Sequence, residues 1–336
     1  RHLLAATSLA GLFAAGVASA AEVNVYSSRH YDTDQQLYDD FTAETGITIN
    51  LIEGNAEELI ERIKAEGTNS PADVFITVDA GNLWRAEQAG LFAPVESTVL
   101  DERIPANLRH PDGLWFGFST RARMIFYDKR RIDASDLGRY EDLADPRWRG
   151  EVCIRSSGNM YNLSLLGAMI AHGGVSQAET WANGVVANFA RQPQGGDTDQ
   201  LRAVAVGECG IALANSYYFA RLMNSEDEAD QAVVANLGWV FPDQGGVGTH
   251  VNISGAGVLK TAPHPEAARR FLEYLASDRA QTLFALGNNE YPAARAPIEN
   301  PALQTMGPFE MDTLNVSRFG EHQAEAQQVF DRAGWR

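Results

Sequence analysis

The sequence holds ten tyrosines among 336 residues, and four of them stand where short apolar runs give way to polar ones. Tyr31 follows His30 in "VYSSRHYDTD", Tyr161 lies in "SSGNMYNLS", and Tyr217 and Tyr218 sit side by side in "ALANSYYFARL". A phenol ionises at about pH 10, so a neutral ligand gains little from several of them together. A highly charged hard cation changes this, because it favours the deprotonated oxygens. Taken singly, each tyrosine reads as an amphipathic residue with its ring packed and its hydroxyl in water. The doublet resists that reading. Successive strand residues point to opposite faces, so Tyr217 and Tyr218 can turn the same way only if they lie past the strand's end.

Anionic oxygen donors suit hard cations rather than copper(I) or zinc, which prefer sulfur or imidazole. Ca²⁺ and Mg²⁺ are bound by carboxylates, carbonyls and water. Phenolates converging on one cleft therefore point to Fe³⁺, with His30 beside one of them.

The elements that would position these side chains follow from periodicity. "EVNVYSS", "ITINLIEG" and "ADVFITV" read as strands. Each is followed by an amphipathic helix, with Gly46 closing the first and Asn55 and Gly67 capping the second. Such alternation predicts a mostly parallel sheet covered on both faces, with ligands bound outside the strands' C-terminal ends. "LWFGFSTRARMIFYD" then reads as two long strands interrupted by Arg121 and Arg123. A second α/β series follows: "GEVCIRS", helices over "NLSLLGAMIAHGG", 176–190 and near 198–207, and the strand "CGIALAN". Beyond it come the extended, Gly-rich "GVGTHVNISGAGVLK", a helix pair in "PEAARRFLEYLASDRAQTLFAL", and one last helix in "SRFGEHQAEAQQVFDRAG". The expected fold class is α/β with two lobes, each a mixed sheet flanked by helices, joined by two hinge strands. Lobe one takes 21–119 with 247–290, and lobe two takes 120–246 with 291–336.

Residues 2–17 are apolar or small, follow Arg1 and end in Ala18-Ser19-Ala20, an A-x-A pattern. This predicts a signal peptide over 1–20, cut before Ala21, and export to the periplasm. The run is too short and too rich in Ala and Gly for a membrane anchor. A formal charge of −17 argues against nucleic acid and anionic lipid as partners. Cys153 and Cys209 both lie at strand starts. An exported chain invites their pairing across one sheet, two buried free thiols being the alternative. No dinucleotide loop, Gly-Lys-Ser/Thr, nucleophile elbow, H-E-x-x-H or C-x-x-C occurs, and nothing argues for an enzyme.

With these residues in hand, the chain resembles the ferric-ion-binding proteins of bacterial ABC iron uptake: periplasmic, transferrin-like class II solute-binding proteins. It looks most like the tyrosine-rich cyanobacterial and marine type that binds Fe³⁺ without carbonate. The marks are "VYSSRHYDTD" (25–34), "SPADVFITVDAGNL" (70–83), "STRARMIFYD" (119–128), "NSYYFARL" (215–222) and "NISGAGVLK" (252–260), the doubled tyrosine being the most specific. The resemblance implies Tyr217, Tyr218 and Tyr161 as phenolate ligands from one lobe and Tyr31 as the fourth from the other. His30 is then a fifth ligand or a close neighbour, and Arg121 or Arg221 a nearby cation offsetting the anionic excess. Members using a synergistic anion carry a glutamate after "ADVF", where this chain has Val78 and Asp79. The resemblance also implies a monomer that closes about strands near 117–121 and 246–252 and docks on an inner-membrane permease. The alternative function is a class II binder for a small organic or oxyanion ligand, with the tyrosines as aromatic walls.

Overall fold

The structure is a computed structural model that describes residues 21–29 and 31–336. The leader expected over 1–20, and His30, lie outside the described residues. Among the described residues nine strands form the sheet system: β1 (Glu22–Ser27), β2 (Thr48–Glu53), β3 (Val74–Val78), β4 (Phe116–Asp128), β5 (Val152–Cys153), β6 (Ile211–Asn215), β7 (Leu237–Val240), β8 (Val251–Val258) and β9 (Tyr291–Pro292). The order is β2-β1-β3-β8-β4-β6-β5, with β7 and β9 also paired to β4. β1 pairs in parallel with β2 and β3, whereas β8 runs antiparallel to β3 and β4, so the sheet is mixed. Among the described residues no helix is long and apolar enough to cross a membrane.

The first helices end where their sequence directs. Asp34–Thr45 stops at Gly46, whose φ of 71° is a conformation that only glycine adopts cheaply. Asn55 caps Ala56–Glu66 by accepting from the Glu57 amide at 2.9 Å. Leu59, Ile60 and Ile63 give that helix a buried stripe at helical spacing. Phe41, Leu83 and Phe75 belong to the core around β1, β3 and β8. A separate apolar cluster holds Ile125, Leu166, Trp181, Phe330 and Trp335. Each such side chain contributes about 1.5–3 kcal/mol by leaving water.

Two features correct the sequence reading, and a third agrees with it. The stretch around Arg121 and Arg123 is not two strands but one, the 13-residue β4. Its residues 116–122 pair with β8 and its residues 123–127 pair with β6. Both arginines are tolerated inside a buried strand because carboxylates meet them: Glu290 pairs with Arg121, and Asp197 with Arg123 at 2.7 Å. The two helices expected over 162–174 and 176–190 are present within the stretch Met160–Ala187, parted by the non-helical backbone of Gly174 (φ 79°, ψ 168°). The single last helix is two, Ser317–Glu321 and Gln323–Ala333, parted at His322.

Cys153, in β5, and Cys209, two residues before β6, are joined by a disulfide with Cα atoms 6.0 Å apart. β5 and β6 are parallel neighbours, which brings the two positions within bridging reach.

Candidate metal centre

Tyr161 and Tyr217 are set by the ends of β5 and β6. Tyr161 is the second residue of the helix Met160–Ala187, and Tyr217 and Tyr218 fall in the first turn of the helix Ser216–Met223. β6 stops at Asn215, whose extended backbone (φ −77°, ψ 144°) starts the helix. The alternation of strand faces has therefore ended before the doublet begins. Both helix starts carry partial positive charge, which favours an ionised phenol.

One buried guanidinium ties these two helix starts together. Arg123 Nη2 donates to Asn162 Oδ1 at 2.9 Å, next to Tyr161. Its Nη1 donates to Asn215 Oδ1 at 3.1 Å and to Asp197 Oδ2 at 2.7 Å. The Asn215 amide also donates to Asp197 Oδ2 at 2.7 Å. Asn162 Nδ2 in turn donates to the carbonyls of Arg155 and Ser156, at 3.0 and 3.1 Å.

The result is a cluster of phenols. The hydroxyls of Tyr161 and Tyr217 share a hydrogen bond at 3.2 Å. The Tyr217 and Tyr218 rings stack with centroids 4.2 Å apart. Tyr217 is 3% exposed. Burial raises its ionisation well above the ordinary phenol value, and the phenols of Tyr161, Tyr31 and Tyr218 raise it further while Arg121 pulls it down. Burial likewise raises Tyr161, with Tyr218 adding to the effect and Arg121 opposing it. Tyr31 is raised by burial and then by Glu290, against the pull of Arg121 and Arg29. Tyr31, Tyr161 and Tyr217 thus each respond to other phenols of the group, which sets all four tyrosines in one neighbourhood.

Cations ring this cluster. The Arg121 guanidinium lies 5.6 Å from the Tyr217 ring centre, and that of Arg221 lies 6.0 and 5.3 Å from those of Tyr217 and Tyr218. Arg155 stands 5.3 Å from the Tyr161 ring and Arg29 4.8 Å from that of Tyr31. Most of these charges are already met. Arg121 pairs with Glu290, and Arg29 pairs with Asp34 at 2.7 Å and Glu290 at 3.4 Å. Arg155 approaches Asp197 at 3.7 Å. Burial opposes the charge on Arg121, but Glu290 and the phenols of Tyr31, Tyr217 and Tyr161 outweigh it and hold the guanidinium above its usual value. Among the described residues Arg221 has no ion-pair partner.

Asp79, which follows β3, has both oxygens occupied. Oδ1 accepts from the Gly81 amide and from Ser164 Oγ, each at 2.8 Å, and Oδ2 accepts from Asn252 Nδ2 at 2.9 Å. No group of three or more His, Cys, Asp or Glu among the described residues is arranged to hold a metal ion.

Sequence reasoning missed Glu290, Arg29, Asp34, Arg155 and Asp197. Arg29 stood in the quoted "SSRHY" but gave no reason to choose it. Glu290 had one available signal: an arginine inside a strand as apolar as β4 demands a buried carboxylate somewhere.

The chain matches the family model described as bacterial extracellular solute-binding protein over residues 69–308. It is 54% identical over 321 residues to iron uptake protein A2 of Synechocystis, covering 95% of this chain and 91% of that one. A solved Trichodesmium structure, titled as IdiA (FutA) in complex with iron and citrate ligands, is similar at TM-score 0.91 and 56% identity, covering 94% of this chain and 100% of that chain. The ferric binding protein from Campylobacter jejuni is similar at TM-score 0.87 and 41% identity, covering 94% of this chain and 100% of that chain. With its two-lobed mixed α/β architecture, this chain belongs to the bacterial extracellular solute-binding protein family.

Proposed function

We propose that the chain captures Fe³⁺ in the cleft between its lobes, through the phenolates of Tyr31, Tyr161, Tyr217 and Tyr218, and delivers it to an ABC permease. The observation that carries this reading is the buried Tyr161–Tyr217 hydroxyl contact at 3.2 Å, with Tyr218 stacked alongside. Two phenols this close cannot both ionise cheaply unless a multiply charged cation takes the place of their protons.

Capture starts on Tyr161, Tyr217 and Tyr218, which share one lobe. Rotation about the strands near 117–121 and 246–252 then brings up Tyr31, hinge closure being the usual motion of such binders. The lobes are 21–119 with 247–290 and 120–246 with 291–336, a division supported by the change of partner along β4. His30 remains a candidate fifth ligand or close neighbour. Four phenolates around Fe³⁺ leave one excess negative charge. Arg221 suits its neutralisation better than Arg121, whose charge Glu290 already meets.

The chain acts as a monomer in the periplasm, with the permease as its partner and no catalysis. The names of the iron-uptake and ferric-binding relatives favour this cargo over a small organic or oxyanion ligand.

Metal analysis and a visible spectrum after Fe³⁺ loading and desalting test the reading. The expected result is one iron per chain and a red to orange colour from phenolate charge transfer, both lost in Tyr217→Phe. A colourless, iron-free protein would overturn it. A variant that keeps iron but loses an organic ligand would favour the alternative.

A further inference from the structure

A second cavity, of about 460 Å³, lies apart from the tyrosine cluster and is lined by none of its four phenols. It opens to solvent and is bordered by the middle of the stretch Met160–Ala187, the turn Tyr140–Ala144 and the segment 243–250 leading into β8. One wall is apolar, made by Leu165, Ala168 and Met169. The rest is dominated by acceptors. Glu141, Asp243 and Asp312 bring three carboxylates to a space that contains one guanidinium, Arg139. Arg139 reaches Glu141 Oε1 at 3.1 Å and Asp243 Oδ1 at only 3.7 Å. The Asp312 carboxylate meets His172 Nε2 at 2.8 Å.

Two polar atoms of residues lining this cavity are buried without a partner among the described residues. Glu141 Oε2 is buried and, among the described residues, has no hydrogen-bond partner. His250, 3% exposed, also has an unpartnered Nδ1, its ring packing 4.7 Å from that of Phe319. Buried polar groups without partners are rare and call for an explanation. Burial, with Arg123 and His172 nearby, lowers the His250 ionisation to about 3, so the ring is neutral and adds no positive charge to the space. Asp243 is raised to about 6, first by burial and then by Glu141. A cation placed among these carboxylates would relieve that repulsion.

A bare metal ion is not the best fit, since no three His, Cys, Asp or Glu side chains among the described residues are arranged to hold one. The volume lies within the range of small-molecule sites, and an apolar wall with a few convergent polar groups is their usual lining. We propose that this cavity is a second ligand site for a protonated alkylamine. Its ammonium group would sit among the carboxylates of Glu141, Asp243 and Asp312, and its stem would lie on Leu165, Ala168 and Met169. The site shares no residue with the tyrosine cluster, so its test is independent of the iron reading.

The test is calorimetric titration of the full chain, iron-free and iron-loaded, with butylamine and 1,4-diaminobutane, using butyrate as the anionic control. Saturable binding of one amine per chain, tighter than about 1 mM, is expected in both states, with none for butyrate. The double variant Glu141→Gln, Asp243→Asn should weaken it at least about tenfold. Met169→Trp, which fills the apolar side, should do the same while keeping a native unfolding transition. Tyr217→Phe should leave amine binding intact. Absence of saturable amine binding, equal binding of butyrate, binding unchanged in Met169→Trp, or binding lost in Tyr217→Phe would each overturn the proposal.

Discussion

Ser164 Oγ donates to Asp79 Oδ1 at 2.8 Å, joining the helix that carries Tyr161 to the turn that follows β3. Asp79 is 1% exposed and holds a positive φ of 76°, uncommon for a residue with a side chain. The contact bridges the two parts of the molecule that the proposed closure brings together. It makes Asp79 a latch whose strength depends on protonation.

Burial raises the Asp79 carboxyl to about 6, against the lowering effect of its hydrogen bonds. A folded-state value above the unfolded one means stability that is full below about pH 4 and is lost as pH rises through 6. The span is worth about 3 kcal/mol. Asp79→Asn removes this titration and leaves one amide hydrogen facing the Asn252 amide. The variant should be less stable than the parent near pH 4 by about 1–3 kcal/mol, with the gap narrowing toward pH 7. Thermal unfolding across that range measures it, and a gap that widens with pH would refute the latch.

Iron should be released by acid. Burial holds Tyr31, Tyr161 and Tyr217 above the ordinary phenol value, so binding must expel their protons and affinity falls as pH falls. Each displaced proton contributes about one logarithmic unit of affinity per pH unit. Tyr31→Phe should lower that slope by about one while leaving a coloured complex on the other three. Competition titrations against a chelator at several pH values give the slope.

Glu290 should act on the site without touching the metal. It accepts from Ser119, Arg121 and Arg29, and after burial it is the largest influence raising Tyr31. Glu290→Gln leaves two buried guanidiniums short of a partner and should cost about 3–5 kcal/mol of stability. The same change frees positive charge toward Tyr31, so acid release of iron should move to lower pH. Denaturant melts and release curves on one sample separate the two effects.

The disulfide should matter to stability more than to the site. The Cys153–Cys209 bridge spans 56 positions, and closing a loop of that length contributes about 4 kcal/mol in the chain-entropy account. Reduction, or Cys153→Ala with Cys209→Ala, should lower stability by that order while the visible iron spectrum stays unchanged. Thiol titration of the denatured, unreduced protein should find no free thiol.

Much of this was legible in the sequence because it is local. Asn55 and Gly46 announce helix ends through their own side chain or the lack of one. The doublet at 217–218 announced that a strand had stopped, since no single face could use both rings. What stayed hidden is non-local. Arg121 and Arg123 read as interruptions because their partners, Glu290 and Asp197, lie far along the chain. The break at His322 was hidden because helical periodicity continues across it. Arg123 could be seen as a charge, but its grip on Asn162 and Asn215 depends on two helix starts meeting in space.

The continuous β4 also sets the order in which the molecule can assemble. Phe116 pairs with Ala256 and Ala122 with Val251, partners separated by more than a third of the chain. Contacts that distant in sequence are slow to form, because the loop between them must be closed before any pairing rewards it. The central crossing of the sheet therefore awaits β8. Units such as β1 with β2, or β5 with the disulfide loop, can take shape earlier, and the junction that links the two halves mechanically is among the last parts to become native.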